Sequence, residues 1–223
     1  MDSGNSKADF ISTIPYFSGL QPAQLQSVTG HIFEKAAERN EFIVSEGDDV
    51  DALYVVLSGA LKALKTSAEG REQILRIIRP GDSFNDVPVF DGGPCPASVQ
   101  AMGPVSLYGF STTSMRTILR QHPVVALNAV VVLAGRVRHY VSVVEDLAFK
   151  HVMGRVAKLL LDHSREDAEA RPKLTQQEMA ATVGSVREMV SRSLKTLEER
   201  RLIRMDRHRI VILDADGLRE ASE

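Results

Sequence analysis

The sequence predicts an α+β fold: an N-terminal antiparallel β-roll, a long dimerisation helix and a C-terminal winged helix-turn-helix. Three observations predict it. Short β-branched runs separated by glycine turns fill residues 42–110, an apolar stripe of heptad spacing runs through 123–149, and two short helices joined by a glycine precede a strand pair within 174–212. The implied boundaries are 1–122, 123–149 and 150–223. A chain of 223 residues is long enough for two domains of ordinary size, and 43% apolar with 25% charged residues is a globular composition.

Residues 1–9 read as a mobile tail. Over 10–33, a short helix is expected to enter through Leu20-Gln21-Pro22, with Pro22 in the first turn, where its missing N–H costs nothing. Strands are expected at 42–44, 52–57, 60–66, 73–78, 98–101 and 105–110. Turn signals fall between them at Gly47, Gly59, Gly70, Gly81 and Gly103-Pro104. Regular short strands with such punctuation build an antiparallel barrel or sandwich. A small barrel of this kind can also be a metal-dependent enzyme, which needs two or more histidines projecting inward. No histidine occurs between Ile32 and Gln121, and no Gly-rich phosphate loop, serine elbow or catalytic carboxylate pair presents itself. The sequence therefore argues against an enzyme and names no metal site.

A short helix at 112–120 precedes a long one that Pro123 opens and that runs to about Phe149. Leu127, Ala134, Val141 and Ala148 occupy one heptad position, and Val130, Val137 and Val144 its companion. Seven small or β-branched residues in that register make a coiled-coil seam. The alternative is a helix buried against its own β-roll. A narrow stripe flanked by Arg136, Arg138, Glu145 and Asp146 favours pairing of two copies.

Beyond it, Thr175 sits at an N-cap with Glu178 as its capping-box partner, and Met179, Ala180 and Val183 form one apolar stripe that Gly184 ends. Ser185 is expected to cap a second helix, with Met189, Val190, Leu194 and Leu197 buried and Arg187, Glu188, Ser191, Arg192 and Lys195 outward. An isolated amphipathic helix with these charges would be read as a solvated face. The turn glycine, the caps and the following strand pair instead make it a reading helix for duplex DNA. Charge agrees: residues 187–209 carry eight Lys/Arg against four Asp/Glu, while the whole chain is at net −2.

The run from Asp146 to Ile212, beginning DLAFKHVMGRVAKLLLDH, resembles the C-terminal half of the cyclic-AMP receptor/fumarate-nitrate-reductase regulator (CRP/FNR) family of bacterial transcription factors. Arg187-Glu188-x-x-x-Arg192 is similar to the base-reading motif of the cyclic-AMP receptor branch, and Glu188-x-x-Ser191-Arg192 to that of the oxygen-sensing branch. The weaker resemblance of the remaining chain implies a cyclic-nucleotide-binding-like β-roll acting as sensor, a homodimer, a palindromic site with TGTGA-like half-sites, and RNA polymerase as a partner. It implies that Arg187, Glu188, Ser191 and Arg192 read bases, and that Thr175, Lys195, Arg207 and Arg209 hold phosphates.

In cyclic-AMP binders of the family, the loop corresponding to 81–98 has a Gly-Glu pair near its start and an Arg-Ser pair near its end. Here Asn85-Asp86 and Pro96-Ala97 stand in those places. A cyclic phosphate needs a charged donor, and Pro96 has neither charge nor N–H. The cassette therefore argues against cyclic AMP and leaves the small effector unidentified. Cys95-Pro96 resembles the Cys-Pro pairs that ligate haem iron in some sensors, so haem is a candidate cofactor; the plainer reading of Cys95 is a small apolar filler. Ser98 closes the cassette. By resemblance His139 and Tyr140 reach pocket height on the long helix, or else flank the seam. One cysteine cannot hold a four-cysteine iron–sulfur cluster. A single cysteine, no secretory signal and no apolar run of about 18 residues point to the cytoplasm and away from a membrane. A second functional reading is a constitutive DNA-binding dimer whose β-roll takes no ligand.

Overall fold

The computed structural model describes residues 3–49, 52–164, 174–206 and 209–223. Contacts group the chain into two compact units, Met1–Ala63 with Ile77–His139, and Leu64–Arg76 with Tyr140–Glu223.

The first unit begins with helix α1, Ser3–Ser12, where the sequence suggested a tail. The helix forms because its far end has something to bury against. Ile11 is fully buried, the Phe10 ring meets Tyr108 edge-on at 5.8 Å, and Lys7 pairs with Glu34 at 2.7 Å. A 3-10 turn at Pro15–Phe17 leads to α2, Pro22–Thr29, which carries the expected proline in its first turn.

The roll is made of β1 (Ile32–Ala37), β2 (Phe42–Val44), β3 (Ala52–Ser58), β4 (Leu61–Thr66), β5 (Glu72–Ile78), β6 (Ser83–Phe84), β7 (Ser98–Ala101) and β8 (Val105–Ser111). They form two four-stranded sheets, ordered β1-β8-β3-β6 and β2-β7-β4-β5. β1 escaped the sequence reading because IFEKAA lacks alternation; its partner β8, in register from Ile32↔Phe110 to Ala37↔Val105, holds it as a strand. Successive residues of β3 face opposite cores. Leu53 and Val55 pack with Phe17, Val28, Phe110 and Met115, while Tyr54 and Val56 pack with Leu61, Phe84 and Leu107 inside the roll. Gly59 turns β3 into β4 at φ +82°, where a Cβ would stand 2.3 Å from the Pro104 carbonyl oxygen. Between β6 and β7 the cassette contains a short helix absent from the sequence reading, α3, Asp86–Asp91.

Helix α4, Thr112–Gln121, precedes α5, Pro123–Phe149, whose bounds match the sequence expectation. Of α5 only Val125 and Ala129 are buried. By length and composition α5 is apolar enough to cross a membrane, although Arg136 and Arg138 interrupt it. Its polar groups bind protein instead: Asn128 Nδ2 donates to the carbonyls of Tyr16 (3.0 Å) and Ser18 (2.8 Å).

In the second unit, α6 (Val152–Ser164), α7 (Gln176–Val183) and α8 (Arg187–Glu199) surround one core. The hairpin β9 (Ile203–Asp206) and β10 (Arg209–Ile212), then α9 (Ala215–Glu220), close it. Val156, Leu160, Val183, Val190, Leu194, Leu197, Ile203 and Leu218 form that core.

Candidate nucleic-acid interface and effector cassette

Thr175 and Glu178 close a reciprocal capping box on α7. Thr175 Oγ1 accepts from the Glu178 N–H at 3.1 Å, and Glu178 Oε2 accepts from the Thr175 N–H at 2.7 Å. Gly184 ends α7 at φ +65°, and the Ser185 N–H returns to the Ala180 carbonyl at 2.9 Å, which completes a Schellman turn. A Cβ on Gly184 would stand 2.5 Å from Leu147 Cδ2. Only glycine suits both the left-handed backbone and the close approach.

That turn corrects one expectation. Ser185 belongs to the α7 terminus, and the N-cap of α8 is Val186, without a side-chain cap bond. Burial corrects another. Val190, Ser193, Leu194 and Leu197 face the core, and Ser193 satisfies its hydroxyl on the Met189 carbonyl at 2.8 Å. Met189, expected in the core, is 39% exposed, because it lies a full 100° around the helix from Val190. Arg187, Glu188, Ser191, Arg192 and Lys195 are all exposed, and Lys195 makes only a loose 3.8 Å pair with Glu199. Thr175 and Arg209 are exposed; Arg207 lies outside the described residues.

Side chains that the sequence reading left unassigned hold this head within its unit. Arg155 Nε donates to the Val183 carbonyl at 2.7 Å and its Nη1 to the Lys150 carbonyl, bridging the ends of α7 and α5. Lys158 pairs with Asp146 and donates to Ser142 Oγ at 3.0 Å, and Lys150 pairs with Asp146 at 3.3 Å. Asp146 is therefore engaged within its own unit rather than simply flanking the seam. Gln73 Nε2, from β5, reaches the Thr182 carbonyl at 3.2 Å.

The seam residues Leu127, Val130, Val137, Val141 and Val144 are 62–69% exposed; Ala148 is exposed and Ala134 half-buried. This does not fit a helix buried against its own roll. Arg136 departs from the expected flanking position. Its side chain is 13% exposed and pairs with Asp86, which is 2% exposed, while Nη2 donates to the Ser83 carbonyl (2.7 Å) and Ser83 Oγ (2.8 Å). Tyr16 donates its phenolic O–H to the other Asp86 oxygen at 2.6 Å. Burial first, and the Asp86 charge second, push the Tyr16 phenol above its ordinary range, so it stays the proton donor. The cassette carboxylate is thus occupied by groups of its own chain. No sequence pattern announced Tyr16 as a partner, since 70 residues separate it from Asp86.

Asn85 takes a left-handed backbone at φ +63° and donates from Nδ2 to the Ala52 carbonyl at 2.7 Å. The Cys95 thiol donates to Asn85 Oδ1 at 3.0 Å, and its side chain is buried beside the roll core. Burial pushes this thiol up, with the charges of Asp48 and Asp49 adding to the shift. A haem thiolate needs its sulfur to face an open site. Cys95 is buried with its sulfur turned toward Asn85 rather than toward an open site, so it does not fit that role. Among the described residues no group of three or more His, Cys, Asp or Glu could hold a metal ion. Pro96 is exposed, Ala97 and Ser98 are half-buried, and Ser98 Oγ accepts from the Glu46 N–H at 2.9 Å. His139 and Tyr140 are both exposed on α5.

Comparison with known proteins places family matches on both parts. The cyclic nucleotide-binding domain matches residues 34–122, and the Crp-like helix-turn-helix domain matches 154–221. A CRP-like cAMP-activated global transcriptional regulator of Mycobacterium tuberculosis is 31% identical over 209 residues, covering 91% of this chain and 93% of that one. FixK2 from Bradyrhizobium japonicum superposes with a TM-score of 0.77 at 25% identity, covering 86% of this chain and 98% of that one. The catabolite activator protein of Thermus thermophilus gives 0.56 at 28% identity, over 93% and 98%.

Proposed function

Since the chain belongs to the CRP/FNR family of DNA-binding transcription regulators, we propose that it works as a cytoplasmic homodimer. In this reading it occupies a palindromic operator and responds through its β-roll to a small effector other than cyclic AMP. Members of this family are transcription regulators rather than enzymes, and RNA polymerase is the partner expected of one.

The observation that carries the reading is the division of α8. Its apolar residues close the core of the second unit, while Arg187, Glu188, Ser191 and Arg192 stand exposed on the first two turns. Guanine offers O6 and N7 to a guanidinium, and cytosine offers its N4 amino group to a carboxylate. Arg192 and Glu188 address one G·C pair together, and Arg187 reads a second guanine nearer the outer end of a TGTGA-like half-site. Lys195, Thr175, Arg209 and Arg207 take phosphates and fix register. The two heads are set one DNA turn apart when the exposed stripe of α5 pairs with its copy about a two-fold axis.

The relative from Mycobacterium tuberculosis is cAMP-activated by its name. Three features support a different effector here. Pro96 and Ala97 stand in the phosphate-holding positions, Asp86 is engaged by Arg136 and Tyr16, and Cys95 is turned away as a donor to Asn85.

Selection of bound duplexes from random DNA tests the reading. A palindrome with a G·C pair in each half-site is expected. On it, Arg192→Ala should cost about 1–3 kcal/mol and flatten discrimination at that pair. Lys195→Ala should weaken all sequences alike and lower the salt slope by about one. Half-sites with no G·C pair would remove the roles of Glu188 and Arg192.

A further inference from the structure

The reading helix carries two apolar side chains that its fold does not use. Val186 is 47% exposed at the N-cap, and Met189 is 39% exposed one turn on, on the flank next to Arg192. The N-cap is where Ser, Thr, Asp or Asn would satisfy an orphan N–H, yet Val186 makes no such bond. Met189 likewise leaves the packing to Val190 and Ser193. A position that gives up a local capping bond for an exposed apolar group points to a use outside the fold.

We propose that Val186 and Met189 read thymine by its C5-methyl group. In the major groove that methyl is the one apolar feature a base pair presents, and contact with an apolar side chain distinguishes thymine from cytosine. Arg187 and Glu188 lie between the two residues and Arg192 follows Met189 by three, and these polar readers orient the helix so that its N-terminal end lies along the groove floor. Met189 contacts a thymine neighbouring the G·C pair read by Glu188 and Arg192. Val186 contacts one neighbouring the guanine read by Arg187. The unbranched thioether of Met189 adapts to a methyl whose height changes with local DNA shape. The half-site is then defined by methyl groups as well as by guanines. This inference rests on the assignment of α8 as the reading helix.

The test replaces the thymines of the selected palindrome one at a time with deoxyuridine, which keeps every hydrogen-bonding edge and removes only the methyl. Wild-type protein should lose about fourfold affinity at one thymine per half-site for each reader, the change that burying one methylene-sized group corresponds to. Met189→Ala should bind the thymine and uracil duplexes equally at its position, and Val186→Ala at the other, each with an unchanged salt slope. Met189→Leu should keep part of the preference. Because both side chains are exposed, thermal melting should show the variants folded. Wild-type protein that selects its palindrome yet binds every uracil duplex as tightly as thymine overturns this inference alone. Wild-type protein that selects no sequence at all removes the assignment of α8, and this inference with it.

Discussion

Asp86 and Arg136 are the clearest case of one residue deciding the state of another. The carboxylate is almost wholly out of water and is held by a guanidinium from α5 and a phenol from the N-terminal segment. Removing one partner of such a pair leaves an uncompensated charge, which costs far more than the pair is worth. Arg136→Met should lower unfolding free energy by about 3–5 kcal/mol in urea titrations, and adding Asp86→Leu should restore much of it. A loss below about 1 kcal/mol would show that water, not Arg136, holds the carboxylate. Cys95 makes a second case at this scale. Its thiol pKa is raised by burial and by Asp48 and Asp49, so the folded chain keeps the proton longer than the unfolded one. The associated stability is complete below the ordinary thiol range and is lost as pH rises above that range, through the raised folded value. At pH 8 iodoacetamide should leave the native chain unlabelled and label one site after denaturation. Purified protein supplied with haem should show no Soret band of a thiolate complex. Rapid native labelling, or that band, would show that the sulfur opens to solvent.

Among the elements, α5 carries the most exposed apolar surface. Leu127, Val130, Val137, Val141 and Val144 repeat at heptad spacing, and water meets most of each side chain in the single chain. Pairing with a second copy, as proposed above, would remove that surface. Val137→Glu with Val144→Glu should give a monomer in sedimentation and abolish specific operator binding, since an unpaired charge buried in the seam costs several kcal/mol. A stable dimer with unchanged affinity would place the interface on another element. The helix bounds themselves were legible, because Pro123 opens the helix and the apolar period holds through Phe149. The burial of Arg136 was not legible. Its place beside the stripe is the same whether it faces solvent or a carboxylate, and only β6 and α3 supply Ser83 and Asp86 beneath it.

At the scale of the whole molecule, a match to the cyclic nucleotide-binding domain and one to the Crp-like helix-turn-helix domain share one chain, and Pro96-Ala97 stand where the resemblance places an Arg-Ser pair. Titration calorimetry with cyclic AMP should show no saturable heat, because nothing at Pro96 replaces the hydration of a cyclic phosphate. A stoichiometric micromolar isotherm would overturn that reading of the cassette.

What the sequence determined by itself was whatever depends on neighbours in the chain. The strand rhythm, the α5 helix with its apolar stripe, the Thr175–Glu178 box and the Gly184 turn are set by local period, local caps and one left-handed backbone, and all can be read in order along the residues. The exposed row Arg187, Glu188, Ser191 and Arg192 was legible for the same reason, since 100° per residue separates it from Val190 and Leu194. Tertiary structure decided what depends on distant partners. It made Ser3–Ser12 a helix by giving Ile11 a core, held β1 by pairing it with β8, and moved the α8 cap to Val186 by using the Ser185 N–H in the α7 turn. It also joined Tyr16, Ser83, Asp86 and Arg136, which lie up to 120 positions apart, and turned Cys95 toward Asn85. A buried charge or thiol is satisfied by whichever group the fold brings within hydrogen-bond reach, and no local pattern in the chain encodes that identity.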